Sequence, residues 1–510
     1  MQSDYDKIRE DNIVEYGLGI RHLSFLGRLY TDRTHFIFEL LQNAEDATAS
    51  KVLFQLFEDK LEVFHDGRLF NEKDVRGICG VGEGTKAEDL TQIGKFGIGF
   101  KSVYAYTNTP EIHSGIENFR IENYVRPYAV QHRDIGDSWT TLFTLPFNKE
   151  DVERAIACGE ISTRLRQLSA RTLLFLRNIK EIEYKLPDGI AGVYLRDEIT
   201  KDGGREVTVI GQNNGDDENE NWLIFERPVD VPDPNEDGPY KVPIEIAFRL
   251  EKDNKDNLER IKKVKESPLV VSFPTQKETR LGFLIQGPYK TTPARDNIPP
   301  KDEWNKQLVK ETAYLISDIL HQFKGLGLLN VALLEALPIR PDDFPADGMF
   351  YPIYKAVRES LKNRELLPAD DGSFVSAQSA KLASADWLRK LLRQAQFNLL
   401  YQKEMKWISG EITETGRYGE LWKYIRQELE VEELTPDSFA RKINKPLLTA
   451  QIDEWFAHLY RYLLGTENLW RPPRGFGDSG GILRTKPIIR LQDDSLVTPF
   501  RADGTTPNAF

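Results

Sequence analysis

Cysteine and long apolar runs are scarce in this 510-residue chain. The two cysteines, Cys79 and Cys158, exclude a disulfide framework and suit a reducing cytoplasm. No run reaches the about 18 apolar residues of a membrane-spanning helix, and the first residues lack the apolar stretch of a signal peptide. We therefore expect a cytoplasmic protein with no membrane partner.

Metal-binding histidine patterns and an excess of positive charge are also missing. The seven histidines never fall at metal-ligand spacing, so a structural zinc is not expected, whereas a Mg²⁺ held by oxygen atoms remains compatible. The net charge of −12 argues against binding of nucleic acid through a general electrostatic attraction. Nucleic acid is therefore a disfavoured partner.

Glycine, by contrast, is concentrated in one segment, with seven glycines in the 23 residues from Gly77 to Gly99. Glycine lets the backbone approach a ligand closely. The segment matches neither a P-loop nor a dinucleotide fingerprint, and the chain lacks the H-R-D and D-F-G motifs of protein kinases. Gly94, Gly97 and Gly99 directly precede an apolar helical run, which predicts a different kind of anion site built from backbone N–H groups.

An upstream helix carries candidate catalytic groups. The stretch FELLQNAEDA places Glu39, Asn43 and Asp46 on one helix face. An asparagine oxygen suits Mg²⁺ beside phosphates, and a glutamate one turn earlier can take a proton from an attacking water. Asp66, followed by Gly67, can accept a hydrogen bond from the exocyclic amine of adenine. Taken alone, the polar residues of the helix are typical of a solvated helix face, and the glycine segment is typical of a structural loop. Together they favour a nucleotide site.

These motifs together resemble a known superfamily. The ordered set ELLQNAEDA, DG, VGEGTK and IGKFGIGFKSV is similar to that of the GHKL, or Bergerat-fold, ATPases. The residues of these motifs look most similar to those of the sacsin-type branch, near the ninety-kilodalton heat-shock chaperones. The resemblance covers about residues 20–150 and implies binding of ATP and Mg²⁺ and hydrolysis of ATP.

The resemblance implies roles for the matching positions around the phosphates. Glu39 resembles the water-activating base, Asn43 the Mg²⁺ ligand, and Asp46 an acidic residue that supports the nucleotide site. The mobile lid is expected to contain Gly82, Gly84, Thr85 and Lys86. The phosphate-enclosing loop is expected to contain Gly94, Lys95, Phe96, Gly97, Ile98, Gly99, Phe100 and Lys101.

The adenine pocket departs from the family pattern. Asp66 and Gly67 resemble the adenine reader, but the run DGRLF lacks the second glycine of the family's D-x-G-x-G. Thr141 resembles the threonine that helps to hold adenine, with Thr140 as the alternative match.

A cation from a second domain commonly neutralises charge on the γ-phosphate in this superfamily, which is an electrostatic role. The candidates are Lys277, in a predicted hairpin loop, Lys290 and Arg295. Each of them is also compatible with an ordinary surface charge.

The order of predicted elements indicates an α/β protein. A helix capped by Thr34 is expected within residues 20–50, a further helix at 100–106, and a solvated acidic loop at 211–221. Two small hairpins are predicted at 366–384 and 486–500. We expect three regions: a Bergerat-type two-layer α/β sandwich that binds ATP (1–148), an α/β transducer-like domain (149–338) and a mainly helical region with small hairpins (339–510). That the chain is a fragment of a longer protein is a further hypothesis.

The predicted function is that of a Mg²⁺-dependent ATPase switch, in which lid closure and transient homodimerisation drive remodelling of a protein client or gating of an effector. A role in prokaryotic antiviral defence is a further hypothesis. The alternatives are a nucleotide-binding scaffold without turnover, a DNA-directed GHKL ATPase and a GHKL kinase.

Overall fold

The computed structural model describes residues 2–19, 23, 32–81, 99–201, 203–213, 216–231, 240–252, 259–292, 298–474, 478, 480–503 and 505–508. Its α-helices are α1 (Tyr5–Tyr16), α2 (Phe36–Asp46), α3 (Glu72–Cys79), α4 (Arg154–Arg166), α5 (Glu303–Gly325), α6 (Val331–Ala336), α7 (Tyr351–Asn363), α8 (Asp386–Leu391), α9 (Gln394–Tyr401), α10 (Gly419–Gln427), α11 (Pro436–Lys442), α12 (Lys445–Thr449) and α13 (Asp453–Leu464).

Most of the strands belong to one large sheet. They are β1 (Lys51–Leu56), β2 (Lys60–His65), β3 (Glu111–Ser114), β4 (Glu117–Glu122), β5 (Arg126–Ala129), β6 (Thr141–Pro146), β7 (Glu181–Lys185), β8 (Ala191–Lys201), β9 (Gly204–Asn213), β10 (Asp216–Val231), β11 (Tyr240–Lys252), β12 (Glu259–Lys262), β13 (Pro268–Val271), β14 (Phe273–Glu278) and β15 (Leu284–Gln286). The strand order is β14-β13-β15-β11-β10-β9-β8-β7-β1-β2-β6-β3-β4-β5, and β12 pairs with β11. The mixed α/β class expected from the sequence is confirmed.

A parallel pair joins the two halves of this sheet. Strand β1 pairs antiparallel with β2 and parallel with β7, in a register that sets Lys51 opposite Glu181. Val52 and Phe54 are almost fully buried, as expected for a strand that has a neighbour on each side. The predicted domain boundary near residue 148 stays a prediction.

Helix α2 covers the sheet and contributes to its core. Its buried positions include Phe36, Ile37, Leu40 and Leu41, which recur at helical spacing. The turn before the helix is capped by Asp32, whose carboxylate accepts hydrogen bonds from both N–H and Oγ of Thr34. The prediction that Thr34 itself caps the helix is therefore wrong, since Thr34 lies inside the 3₁₀ turn that Asp32 caps, and His35 at the start of α2 makes no side-chain cap.

A capping box starts helix α3. The Asn71 side chain accepts hydrogen bonds from the N–H groups of Lys73 and Asp74, and the Asp74 carboxylate accepts from the N–H of Asn71. The predicted helix at 100–106 is present as a 3₁₀ segment, Phe100–Ala105. Both segments border the pocket described below.

The acidic run predicted to be a loop is strand instead. Asp216 begins β10 and pairs with Asn213 of β9, and the register continues through Glu220 opposite Val209. Pairing with the long neighbouring strand overrides the low strand propensity of these residues. The solvated-loop prediction is therefore wrong for residues 211–213 and 216–221, while residues 214 and 215 lie outside the described residues.

Contacts divide the chain into two compact units, residues 1–316 with 347–353, and residues 317–346 with 354–510. The second unit contains the predicted small hairpins, which are confirmed: β16 (Leu367–Pro368) with β17 (Phe374–Val375), and β21 (Ile489–Arg490) with β22 (Leu496–Val497). Its remaining strands are β18 (Ala380–Ala383), β19 (Lys406–Trp407) and β20 (Glu433–Leu434).

Candidate functional site

A pocket of about 430 Å³, its open mouth included, lies beside α2 in the first unit. Within it, the centre of a water-sized molecule can reach a volume of about 20 Å³. Its described lining consists of Asn43, Ala47, His65, Arg68, Phe70, Asp74, Ile78, Phe100 and Phe143. The residues come from α2, the end of β2, the following turn, α3, the 3₁₀ segment and β6.

Aromatic rings form one wall of this pocket. The centroid of the Phe143 ring lies 6.1 Å from that of Phe70, 5.9 Å from that of Phe100 and 6.0 Å from that of His65. Ile78 adds an aliphatic surface. The chemistry of this lining suits a planar heterocycle, because such a ligand can stack on rings while a few polar groups orient it.

Helix α2 brings the predicted catalytic and metal-binding residues to this side of the domain. Asn43 lines the pocket. Glu39, one turn earlier, is 2% exposed, and its Oε1 lies 3.3 Å from Nε2 of His35. A β-carbon on Gly99 would overlap the Glu39 carboxylate, so only glycine permits this close approach. Asp46 is exposed at the end of the helix.

The residue of β2 that reaches the pocket is His65. Its ring is buried, and its Nδ1 accepts a hydrogen bond of 3.1 Å from the N–H of Gly67. Burial lowers the pKa of His65 to about 4, so the ring is neutral at neutral pH. The neutral ring therefore has its proton on Nε2.

The structure does not bring Asp66 to this pocket. Its carboxylate accepts hydrogen bonds from the N–H groups of Ser50 and Lys51 and from the Ser50 hydroxyl. Burial alone would raise the pKa of Asp66, but these hydrogen bonds hold it below its usual value. Asp66 thus fixes the start of β1, whereas His65 lines the pocket.

Two threonines of the predicted adenine pocket lie beside His65. Thr141 is opposite His65 in the β2–β6 register, and its hydroxyl lies 2.7 Å from that of Ser114. Thr140 donates hydrogen bonds to the carbonyl oxygens of His65 and Gly67. Both residues therefore stabilise the strand end and turn that present His65.

Sequence reasoning missed an ion pair in the lining. Asp74 accepts hydrogen bonds of 2.6 and 2.7 Å from the two terminal nitrogens of Arg68. Burial alone would raise the pKa of Asp74, but Arg68 keeps it below its usual value. The spacing of Asn71 and Asp74 before an apolar run, typical of a capping box, was the available signal.

The residues of the predicted phosphate loop have different positions. Phe100 lines the pocket and Gly99 contacts Glu39, but Lys101 is fully buried and donates hydrogen bonds to the carbonyl oxygens of Ile78 and Tyr124. Lys101 therefore stabilises the interior of the domain. The remaining predicted loop and lid residues lie outside the described residues: Gly82, Gly84, Thr85, Lys86, Gly94, Lys95, Phe96, Gly97 and Ile98.

Two of the three candidate cations are described, and neither lines the pocket. Lys277 lies inside strand β14, so its predicted place in a hairpin loop is wrong; the turn between β13 and β14 is at Ser272. The Lys290 ammonium lies 3.6 Å from Asp302. Arg295 is outside the described residues.

Strand β14 nevertheless begins next to α2. The Phe273 ring packs on that of Phe38, with centroids 5.2 Å apart. Lys277 follows Phe273 at even spacing and shares its strand face. This placement favours Lys277 over Lys290 as a cation near the site.

Glu45, which the motif analysis did not use, connects α2 to a later segment. Its carboxylate accepts hydrogen bonds from the N–H groups of Arg177, Asn178 and Ile179. The Arg177 side chain in turn pairs with Glu245 of β11, which is buried. The helix that carries Asn43 is therefore tied to the strands beyond β7.

Two kinds of feature are absent from the described parts of the chain. No group of three or more histidine, cysteine, aspartate or glutamate residues there could hold a metal ion. Likewise, no helix in these parts is long and apolar enough to cross a membrane. A Mg²⁺ bound through Asn43 and nucleotide phosphates would not require such a group.

Comparison with known proteins agrees with the motif order. The sacsin-domain family model matches residues 21–134. Protein NO VEIN from Arabidopsis thaliana is 28% identical over 364 residues, 66% of this chain and 13% of that protein. Sacsin from Homo sapiens is 36% identical over 103 residues, 17% of this chain and 2% of that protein. The chain thus spans a small part of either relative.

Among solved structures, the B subunit of DNA gyrase from Myxococcus xanthus is similar over 41% of this chain and 68% of that chain, with 13% identity and a TM-score of 0.23. A score of this size does not by itself establish a shared fold. The family model and the relatives, together with the motif order, identify residues 21–134 of this chain as a sacsin-type, GHKL ATPase-like domain.

Proposed function

We propose that the first unit binds ATP with Mg²⁺ and hydrolyses it. The observation that carries this proposal is the pocket that combines an aromatic wall with Asn43, one helical turn from the buried Glu39. The base would stack against the ring of Phe143, and the phosphates would extend toward Asn43. The glycine-rich segment that ends at Gly99 would supply backbone N–H groups to the phosphates.

The roles of α2 follow from the spacing of its polar residues. Asn43 would hold the metal through its amide oxygen, and Mg²⁺ would neutralise phosphate charge when bound. Glu39 would take a proton from the attacking water, since it is the carboxylate one turn away on the same helix. The close contact of Gly99 with Glu39 would hold this carboxylate in one position.

We further propose that nucleotide binding is coupled to the strands beyond β7. Glu45 joins the end of α2 to residues 177–179, and Arg177 reaches Glu245 in β11. A shift of α2 on nucleotide binding would therefore be passed to these strands. Of the two described candidate cations, Lys277 is the better placed, because its strand starts against Phe38 of α2.

Several finer predictions belong to the same proposal: a cytoplasmic setting, ATP-dependent homodimerisation, and remodelling of a client or gating of an effector, with antiviral defence as one setting. Binding without turnover is the second candidate function. It is favoured by the burial of Glu39, which lies 3.3 Å from His35 and is 2% exposed.

Phosphate release and nucleotide binding by wild type and Glu39→Gln test the proposal. We expect both proteins to bind ATP, and release by the variant to fall by about 100-fold or more because a positioned general base is removed. Equal release rates would remove the ATPase claim. No turnover by either protein, with binding intact, would support the scaffold.

A further inference from the structure

The polar group at the end of β2 is an imidazole and not a carboxylate. His65 lines the pocket, whereas Asp66, the next residue, is directed to Ser50 and Lys51. Alternation along β2 explains the difference, since Leu61, Val63 and His65 share the buried face. A base bound at this position would therefore contact a histidine side chain.

The protonation state of this ring is fixed by the turn that follows it. The N–H of Gly67 can only donate, so Nδ1 of His65 is the acceptor of their 3.1 Å hydrogen bond. The turn itself is held against α2, because the N–H of Arg68 donates to the Ala47 carbonyl at 2.8 Å. A β-carbon on Gly67 would lie 2.7 Å from that carbonyl oxygen, so glycine is required there.

We infer that His65 is the specificity-determining residue of the proposed nucleotide site and that it presents an Nε2–H donor to the base. A donor cannot accept a hydrogen bond from the exocyclic amine of adenine. It pairs instead with an acceptor on the base, either a ring nitrogen or a carbonyl oxygen. The donor would thus find a partner both on a purine with a 6-amino group and on a purine with a 6-oxo group.

The other polar residues in the described lining do not supply an acceptor for the exocyclic amine of adenine. Both oxygens of Asp74 accept hydrogen bonds from Arg68, and one of them also accepts from the N–H of Asn71. Asn43 is assigned to the metal and phosphates in the proposed function, on which this inference rests. Within the described lining, His65 is therefore the polar residue left to meet the base.

Calorimetric titration of the full chain with ADP and with inosine diphosphate tests the inference. Hypoxanthine has a carbonyl oxygen where adenine has its amine, so a carboxylate reader would reject it. We expect wild type to bind both nucleotides within about threefold of each other, since an Nε2–H donor finds an acceptor on either base. A preference for ADP of about tenfold or more would overturn the inference while leaving the proposed function intact.

Substitutions at neighbouring positions locate the effect. His65→Asp replaces the donor by an acceptor and should create a preference for ADP of about tenfold or more, whereas His65→Gln keeps an N–H donor and should leave the ratio near that of wild type. Asp66→Asn should also leave the ratio unchanged. A change of ratio in Asp66→Asn would overturn the inference. If His65→Asp does not fold, the ratio measured for wild type still decides, and no binding of either nucleotide by wild type would refute the proposed function as well.

Discussion

Gly99 lies so close to Glu39 that a β-carbon on the glycine would overlap the glutamate carboxylate. The backbone angles of Gly99 are those of a right-handed helix, so the need for glycine comes from this contact and not from an unusual conformation. The side chain that our proposal assigns to catalysis is thus packed directly against the end of the glycine-rich segment.

Gly99→Ala should therefore displace Glu39. We expect phosphate release to fall by about 100-fold, because small displacements of a catalytic group have effects of this order. The matched control is Gly159→Ala in α4, where a β-carbon meets nothing within 4 Å. Phosphate release by Gly159→Ala should equal that of wild type, and full activity of Gly99→Ala would contradict the role of Glu39.

Asn43→Ala should remove the effect of Mg²⁺ on nucleotide affinity. In wild type we expect ATP to bind roughly tenfold or more tightly with Mg²⁺ than with EDTA, because the metal joins Asn43 to the phosphates. In the variant, titrations under the two conditions should give similar affinities. Asn363→Ala, at the exposed end of α7, is the control. An unchanged Mg²⁺ effect in Asn43→Ala would exclude Asn43 as the ligand.

Stability should depend on pH through His65. Its pKa in the folded protein is about 4, below the usual 6.5, so the unfolded chain binds the proton more readily. The neutral ring therefore contributes stability fully above pH 6.5, and this contribution is lost as the pH falls toward 4. The total is about 3 kcal/mol.

Urea unfolding of His65→Gln and wild type between pH 7 and pH 5 measures this contribution. Because glutamine does not titrate, the free energy of unfolding of the variant should fall less over this interval. The control is His132→Gln, since His132 is exposed. Parallel curves for His65→Gln and wild type would show that His65 is not a buried neutral ring.

Glu45→Gln should destabilise the first unit. The Glu45 carboxylate accepts hydrogen bonds from three successive N–H groups, those of residues 177–179. Loss of its charge should lower the free energy of unfolding by about 2 kcal/mol, as for other hydrogen bonds to charged groups. Urea unfolding measures the change, and Glu15→Gln on the exposed face of α1 should have little effect. Equal stability of Glu45→Gln and wild type would remove this link between α2 and the later strands.

The elements with strong periodicity could be predicted from the sequence. Helix α2 has the apolar spacing of its class, and Asn43 reached the pocket as the motif order implied. These features depend on neighbouring residues along the chain. For that reason a single sequence was enough to predict them.

That His65 and not Asp66 lines the pocket could also have been predicted from the sequence, but the family motif favoured Asp66. Counting by twos from Leu61 places His65 on the buried face of β2 and Asp66 off it. Resemblance to a D-x-G pattern favoured the aspartate. The pairing of Glu45 with residues 177–179 could not be predicted, because the partners are more than 130 residues apart.

The parallel pairing of β1 with β7 has a practical consequence for anyone who wishes to study the pocket-bearing part of the first unit separately. A fragment that stops near residue 148 would lack β7, and the hydrogen-bonding groups of β1 from Lys51 to Gln55 would face solvent. Such bare edges recruit strands from other molecules and promote aggregation. A fragment that ends after the complete sheet would keep β1 paired with β7. The ends of the sequence motifs are therefore a poor guide to where the polypeptide can be divided.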